Sequence, residues 1–161
     1  EIPLRLVGSE MCIRDRLMAG YKDTSSSDAV YMLDWYAYGI GKVPTKVATT
    51  YQNISDAWSL LIDQKWHDRI TAIKANDGGL SYVEFFEYRK NKMSIPLFNI
   101  YCATGSNREY YAERTDLIQL GQTTQAIYFA KLTNEGEQSE LALTGDEIKA
   151  RFSLVNQAWN N

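Results

Sequence analysis

The stretch that decides the fold is YQNISDAWSLLIDQKWHDRITAI, residues 51–73. Trp58, Leu60 and Ile62 recur at every second position, which is the period of a β-strand. Trp66 follows in a short polar turn, and an apolar run resumes at residues 70–73. The pattern predicts a strand, a turn anchored by Trp66 and a second strand. It contains no strong nucleophile, metal or phosphate motif, so it indicates architecture and not chemistry.

Further strands are predicted on both sides of this stretch. A first hairpin joins residues 30–40 to residues 46–50 through the turn sequence GIGKVP at 39–44, and NDGG at 76–79 marks a second hairpin. Apolar residues cover both faces of the two longest later segments, which is typical of interior strands. The strands predicted after the first hairpin cover residues 58–62, 69–75, 80–88, 95–103, 117–120 and 126–132.

An amphipathic helix is predicted at the end of the chain. Thr144 and Glu147 have the spacing of a capping box. The residues of one apolar helical stripe follow at spacings of four, three and four: Ile148, Phe152, Val155 and Trp159. We therefore expect an α+β fold, a mainly antiparallel sheet of about six to eight strands with this helix packed on it. The predicted core at the sheet–helix interface contains Trp58, Phe85, Phe98, Phe152 and Val155.

The first sixteen residues, EIPLRLVGSEMCIRDR, differ from the rest of the chain. Residues 7–16 resemble the translation of a sequencing-adapter read, so we exclude residues 1–16 from functional reasoning and expect them to pack on nothing. A secretory or lipoprotein leader fits less well, because the apolar run is short and is preceded by Glu1. Residues 21–28 are polar and fit a linker. The predicted organisation is a tail and linker over residues 1–28 and a single α+β domain over residues 29–161.

Composition and charge exclude several classes of function. Apolar residues make up 45% of the chain and aromatic residues 12%, which is typical of a globular domain. The net charge of −3 argues against a nucleic-acid partner. No apolar run approaches the roughly 20 residues of a membrane-spanning helix. Outside the tail Cys102 is the single cysteine, which permits no internal disulfide and no cysteine zinc site. We expect no cofactor.

The chemical candidates near the first turn each have a structural explanation. His67 is the single histidine and could pair with Cys102 as base and nucleophile. Cys102, however, lies in an apolar strand, where a buried and inert thiol is usual. Asp63, His67 and Asp68 could ligate a metal, but without a second His or a Cys they fit an ordinary polar turn.

The remaining motifs are equally weak. Glu84 and Glu87 are three residues apart in a strand and therefore lie on opposite faces, unlike the carboxylate pair of a glycosidase. Glu87 is expected to pair with Arg89. GIGK at 39–42 lacks the spacing of a phosphate loop. We predict no catalytic and no metal-binding residues.

Aromatic residues support one binding hypothesis. They are more numerous than a core of this size requires, and exposed aromatic side chains hold sugars and peptides. The alternative is that they belong to the core and reflect strand propensity. The candidate ligand-binding residues are Trp35, Tyr36, Tyr38, Arg108, Tyr110 and Tyr111.

Residues 49–161 resemble a known family in a series of ordered segments. These are TYQN at 50–53, WSL at 58–60, KW at 65–66, RIT at 69–71, PLFNIY at 96–101, GSNR at 105–108, LIQLG at 117–121, IYFA at 127–130 and a terminal helix ending at Trp159. The family is an uncharacterised extracytoplasmic domain of lipoproteins and secreted proteins in Gram-positive gut anaerobes. It usually has a proline where this chain has Gln64. The resemblance implies an extracytoplasmic, cell-surface or secreted location and a non-enzymatic role, and it supplies no catalytic residues.

Two functions are therefore expected as alternatives. The first is a non-catalytic cell-envelope domain of a secreted or lipid-anchored bacterial protein, which binds or senses an envelope glycan or protein. The second is a glycan-binding accessory module or a hydrolase that uses exposed aromatic residues. A cleft that holds two carboxylates, or His67 with an acidic partner, would favour the second.

Overall fold

The computed structural model describes residues 10–18, 30–39, 42–77, 80–90 and 92–155. Within these residues, two antiparallel five-stranded sheets and three short α-helices confirm the predicted α+β class. The strands number ten in the described part of the chain, because an eight-residue strand at its start and a three-residue strand at its end join the eight that the sequence predicts. Both predicted hairpins are present as paired strands, and their tips at 40–41 and 78–79 lie outside the described residues.

The strands are divided equally between the two sheets. From one edge to the other, sheet A consists of β1 (Glu10–Leu17), β2 (Tyr31–Tyr38), β3 (Thr45–Asn53), β4 (Trp58–Leu61) and β10 (Phe152–Leu154). Sheet B consists of β5 (Ile70–Asp77), β6 (Leu80–Arg89), β7 (Lys92–Thr104), β9 (Ala126–Leu132) and β8 (Ile118–Gln122). The α-helices are α1 (Arg108–Ala112), α2 (Asn134–Glu137) and α3 (Gly145–Arg151). None of the described helices is long and apolar enough to span a membrane.

An aromatic core lies between the two sheets. The ring of Tyr51 on β3 meets Phe85 on β6 edge-on at 5.6 Å, and Phe85 stacks on Phe98 of β7 at 4.8 Å. Trp58, Phe85 and Phe98 are buried together, as predicted. A smaller cluster around Phe129 lies on the other face of sheet B, because successive residues of β9 point to opposite faces.

The expectation that residues 1–16 pack on nothing is wrong for residues 10–16. β1 pairs with β2 along its whole length, from Glu10 opposite Tyr38 to Leu17 opposite Tyr31. β2 offers a free row of backbone donors and acceptors, and no inspection of residues 10–17 alone reveals that partner. Residues 1–9 and the predicted linker at 21–28 lie outside the described residues.

The terminal helix begins where the sequence predicts. The amide of Glu147 donates to Oγ1 of Thr144 at 3.2 Å, and the amide of Thr144 donates to the Glu147 carboxylate at 2.8 Å. Ile148 is fully buried and anchors the helix to the core. These hydrogen bonds hold the pKa of Glu147 below its usual range, because the charged carboxylate accepts from the Thr144 amide and hydroxyl.

The helix ends at Arg151, so the prediction of one helical stripe up to Trp159 is wrong. Phe152 is extended and pairs with Leu60, because the open edge of β4 supplies backbone partners that a longer helix would leave unpaired. The Phe152 ring still packs on Trp58, with the ring centroids 5.8 Å apart. Val155 is 37% exposed and does not belong to the core, contrary to the prediction. Trp159 lies outside the described residues.

Candidate functional site

A cleft of about 560 Å³ opens beside sheet A and the turn that contains Trp66. This volume is within the range of ligand pockets, roughly 300 to 1,000 Å³. We call it the basic cleft, because three of its lining residues are cationic. Its lining residues are Arg16, Lys46, Val47, Ala48, Thr49, Leu61, Ile62, Asp63, Gln64, His67 and Arg151.

Trp66 fixes the turn that forms one side of the cleft. Its side chain is fully buried, and its ring stacks on Phe98 with the centroids 5.6 Å apart. The indole N–H donates to the carbonyl oxygen of Leu141 at 2.8 Å. A buried indole needs such a partner, so the turn has one well-defined position against the connection between α2 and α3.

Asp63 begins this turn and also holds Arg151. One carboxylate oxygen accepts from the amide of Lys65 at 2.9 Å, which caps the 3₁₀ helix Gln64–Trp66. The other accepts from Nη2 of Arg151 at 2.5 Å. Arg151 is the last residue of α3, so Asp63 joins the helix end to the turn at the cleft.

Asp34 of β2 holds two cations of the cleft in place, although it is not itself part of the lining. It is only 6% exposed, and its carboxylate accepts from Oγ1 of Thr49 at 2.6 Å and lies 2.7 Å from Nζ of Lys46. Nε of Arg16 lies 3.3 Å from the second oxygen. Burial alone would raise the pKa of Asp34, but the hydrogen bonds from Lys46 and Thr49 and the charge of Arg16 outweigh it and lower the pKa. Asp34 is therefore a charged anchor for both cations.

Asp68 connects Arg16 to the turn. Its carboxylate pairs with Nη1 of Arg16 and lies 2.9 Å from Nδ1 of His67. Its backbone has a positive φ of 56°, a conformation that aspartate adopts more readily than most residues. Each cation of the cleft is thus matched by an aspartate, and His67 does have an acidic partner.

Three guanidinium nitrogens at the cleft have no hydrogen-bond partner among the described residues. They are Nε and Nη2 of Arg16 and Nε of Arg151, and all three atoms are buried. Nε of Arg16 still lies in an ion pair with Asp34, whereas Nη2 of Arg16 and Nε of Arg151 have no such contact. A buried donor without an acceptor costs about 1 to 3 kcal/mol. Because these atoms are closed to solvent, a ligand in the cleft meets them only when the guanidinium groups, whose side chains are about a quarter exposed, turn toward it.

The aromatic residues predicted on the first hairpin do not form one surface. Trp35 and Tyr36 are neighbours on β2, so their side chains point to opposite faces of sheet A. The indole N–H of Trp35 donates to Oγ1 of Thr50 at 2.9 Å, and the guanidinium of Arg14 lies 5.6 Å from the Tyr36 ring centroid. Tyr38 follows near the end of the same strand.

The other predicted residues lie on the outer face of sheet B. Tyr111 of α1 packs on Phe129 with the ring centroids 6.5 Å apart, which makes it part of the smaller cluster. Tyr110 is 65% exposed, and Arg108 donates to the carbonyl oxygen of Thr124. The six predicted residues therefore belong to two groups on different sheets, and none of them lines the basic cleft.

The structure separates Cys102 from His67. Cys102 lies opposite Ser81, which in turn lies opposite Asn76 near the end of β5. His67 precedes the start of β5 at Ile70. A strand of this length spans about 20 Å, so the two side chains cannot form a nucleophile–base pair.

The environment of Cys102 also disfavours a reactive thiolate. Burial, with a contribution from the charge of Asp56, raises the pKa of Cys102 to about 11. Burial likewise raises the pKa of the adjacent Tyr128 to about 12, and the Tyr128 hydroxyl donates to the carbonyl oxygen of Asp56 at 2.8 Å. Among the described residues, no group of three His, Cys, Asp or Glu side chains is placed to hold a metal ion.

Glu84 and Glu87 lie on opposite faces of β6, as their spacing predicts. Glu87 is fully buried, pairs with Arg89 as expected, and accepts from Oγ of Ser139 at 3.1 Å. Arg69 lies 3.7 Å from the same carboxylate. Glu87 therefore holds the connection after α2 against sheet B.

A second surface carries paired tyrosines that the sequence did not single out. Tyr82 and Tyr101 are opposite each other on β6 and β7, with ring centroids 5.4 Å apart. The amide nitrogen of Asn99 donates to the Tyr101 hydroxyl at 3.0 Å and to Glu84 at 3.3 Å. We call these four residues the tyrosine face; they lie on the outer side of sheet B.

Sequence reasoning missed the three cations of the basic cleft. Arg16, Lys46 and Arg151 come from β1, β3 and α3, and no local motif connects them. Comparisons with known protein families, curated proteins and solved structures find no match. The interpretation of the site therefore rests on its own geometry.

Proposed function

We propose that this chain is a non-catalytic domain that binds a ligand in the basic cleft, as part of a secreted or lipid-anchored protein of a bacterial cell envelope. The location is inferred from the family resemblance over residues 49–161. One observation carries the binding role: a cleft of ligand size has charged walls that Asp34, Asp63 and Asp68 hold in fixed positions.

The chemistry of these groups favours binding over catalysis. Catalysis requires an acid–base group or nucleophile with a pKa suited to proton transfer next to the substrate. The pKa of Asp34 is lowered, which suits a permanently charged anchor. Asp63 and Asp68 form ion pairs with Arg151 and Arg16. The thiol of Cys102 lies outside the cleft, and its pKa is raised. His67 and Asp68 form an acid–base pair at the cleft, but their side chains are 52% and 67% exposed, whereas an acid–base group tuned for catalysis is usually desolvated.

Chemical-shift mapping tests the proposal directly. A library of small acids, sugars and short peptides is titrated into ¹⁵N-labelled protein, and the amides whose NMR signals shift are located on the fold. We expect a compound whose shifts centre on residues 46–49 and 61–67. Shifts that centre on any other surface would contradict the proposed site.

A matched pair of variants provides the control. Val47 lines the cleft and is 52% exposed, whereas Val43 is 84% exposed and lies outside the lining. Val47→Trp should fill the cleft and abolish the shifts, and Val43→Trp should leave them intact. Equal binding by both variants would remove the cleft from consideration.

A glycan-binding accessory module remains the second candidate, and the tyrosine face favours it. Aromatic side chains offer apolar faces to sugar rings, and the Asn99 and Glu84 groups beside them can exchange hydrogen bonds with hydroxyls. A glycan array with wild-type protein, Tyr101→Ala and Tyr110→Ala tests this candidate. Binding lost only in Tyr101→Ala would support it, and binding lost only in Tyr110→Ala would favour the α1 aromatic residues instead.

A further inference from the structure

The unpaired nitrogens of the basic cleft indicate what kind of group the ligand carries. Arg16 uses Nη1 for Asp68, and Arg151 uses Nη2 for Asp63, so each arginine keeps another buried nitrogen without a partner in the described chain. Guanidinium N–H groups donate only, and their strongest partners are oxyanions. The matching ligand group is therefore a negatively charged acceptor.

The charge of the site limits how negative that group can be. Arg16, Lys46 and Arg151 carry three positive charges, and Asp34, Asp63 and Asp68 carry three negative charges beside them. These six charges cancel. A dianion would bring two uncompensated charges into a partly desolvated site, whereas a carboxylate brings one.

The rest of the lining indicates an organic body attached to the carboxylate. Val47, Leu61 and Ile62 line the same cleft as the two arginines. Apolar side chains give an inorganic anion nothing to contact, but they stabilise the carbon skeleton of an organic acid.

We propose that the ligand of the basic cleft is a small organic acid whose carboxylate accepts hydrogen bonds from Arg16 and Arg151 while its carbon skeleton packs on the apolar lining. This inference rests on the proposed function of the cleft. It adds the chemical class of the ligand and the two residues that recognise it.

Arginine side-chain NMR tests the inference, because Nε–H groups give resolved ¹H–¹⁵N signals. Wild-type protein is titrated with butanoate, phosphate and glucose at constant ionic strength. The Nε–H signals of Arg16 and Arg151 should move and saturate with butanoate. Arg114 serves as the internal control, because it pairs with Asp116 on the surface outside the cleft, and its signal should stay in place.

Two variants complete the experiment. Arg151→Lys keeps the positive charge but loses the planar donor group, and it should weaken butanoate binding about tenfold. Arg114→Lys should bind as wild type does. Phosphate acting at lower concentration than butanoate, or Arg114 shifting as much as Arg151, would overturn the inference.

The outcomes separate this inference from the proposed function. If glucose moves the cleft amides and butanoate does not, the cleft binds ligands but the organic-acid inference is wrong. If none of the compounds in the library or in this series moves the cleft amides, the proposed function itself fails.

Discussion

The indole N–H of Trp66 donates to the carbonyl oxygen of Leu141 at 2.8 Å, although 75 residues separate them in the sequence. This bond joins the turn between β4 and β5 to the connection between α2 and α3. The turn lines the basic cleft, so the same bond that anchors the turn also stabilises the site.

Trp66→Phe should therefore destabilise the protein by about 1 to 3 kcal/mol, because the ring still stacks on Phe98 while the Leu141 carbonyl loses its buried donor. Trp66→Ala should cost about 3 to 5 kcal/mol, since the core contact is also lost. Urea unfolding monitored by far-UV circular dichroism measures both values. Tyr110→Phe, on an exposed side chain, should change stability by less than about 0.5 kcal/mol. Equal stability of Trp66→Phe and wild type would show that the bond contributes nothing.

Gly136→Ala should be strongly destabilising. A Cβ at this position would overlap the carbonyl oxygen of Leu97 and lie 2.6 Å from Oγ1 of Thr133, the cap of α2. We expect a loss of about 2 to 4 kcal/mol, because backbone must move to admit the methyl group. Gly39→Ala is the matched control, since a Cβ there meets only the flexible Lys42 side chain. Thermal unfolding should separate the two variants, and a neutral Gly136→Ala would contradict the packing of α2 against β7.

Phe152→Ala should cost about 2 to 3 kcal/mol, somewhat less than a fully buried phenylalanine. Its ring lies against Trp58 and Tyr128 but remains partly exposed. Val155→Ala should be almost neutral, because Val155 is outside the core. A helix that continued beyond Arg151 would make both changes costly, so the ratio of the two losses in a denaturant titration distinguishes the strand from the helix.

Asp34→Asn should reduce the unfolding free energy at neutral pH by about 1 to 3 kcal/mol. It should also make the unfolding free energy less sensitive to acidic pH. The pKa of Asp34 is lower in the folded protein than the ordinary value of 3.8, so its contribution is complete above that value and is lost as the pH falls through the folded pKa. The difference in unfolding free energy between wild type and Asp34→Asn should therefore shrink between pH 7 and pH 3. A difference that stays constant over this range would show that the charge of Asp34 does not contribute.

Cys102 should resist alkylation in the native protein. With a pKa of about 11, the thiolate is about a hundredfold scarcer at pH 8 than for a thiol at the ordinary value of 9.0. Iodoacetamide labelling of the Cys102 peptide, followed by mass spectrometry, should be at least about a hundredfold slower in buffer than in urea. Native labelling at the unfolded rate would identify a reactive cysteine and reopen an enzymatic function.

The strands of the middle of the chain were predictable because their period and turns are local signals. Trp58 and Leu60 alternate into the core, and the strands β5 and β6 pair up to Asp77 opposite Leu80, on either side of two glycines. The ends of the chain were not predictable in the same way. Ile13 on β1 and Phe152 on β10 take their conformation from the free edges of β2 and β4, and an edge is a property of the assembled sheet.

The site could not be predicted from the sequence, for a related reason. Each aspartate of the basic cleft holds a cation from another part of the chain, such as Asp63 with Arg151, 88 residues away. The sequence correctly placed Asp63 and His67 in a turn, but only the packing of Trp66 brings that turn beside sheet A and α3. Some of the numerous aromatic residues serve the fold itself. The indole of Trp35 donates a hydrogen bond to Thr50, and the ring of Tyr111 packs on Phe129.

The junction of α3 and β10 couples the basic cleft to the border of sheet A. Arg151 and Phe152 are consecutive, and one holds Asp63 while the other pairs with Leu60. A ligand that immobilises the Arg151 guanidinium thereby restrains the first residue of a three-residue strand. Thermodynamic linkage makes this effect reciprocal. If the bound ligand disfavours the separation of β10 from β4 by some factor, that separation must weaken ligand affinity by the same factor. Slower amide hydrogen exchange at Ser153 would then report an occupied cleft from outside it.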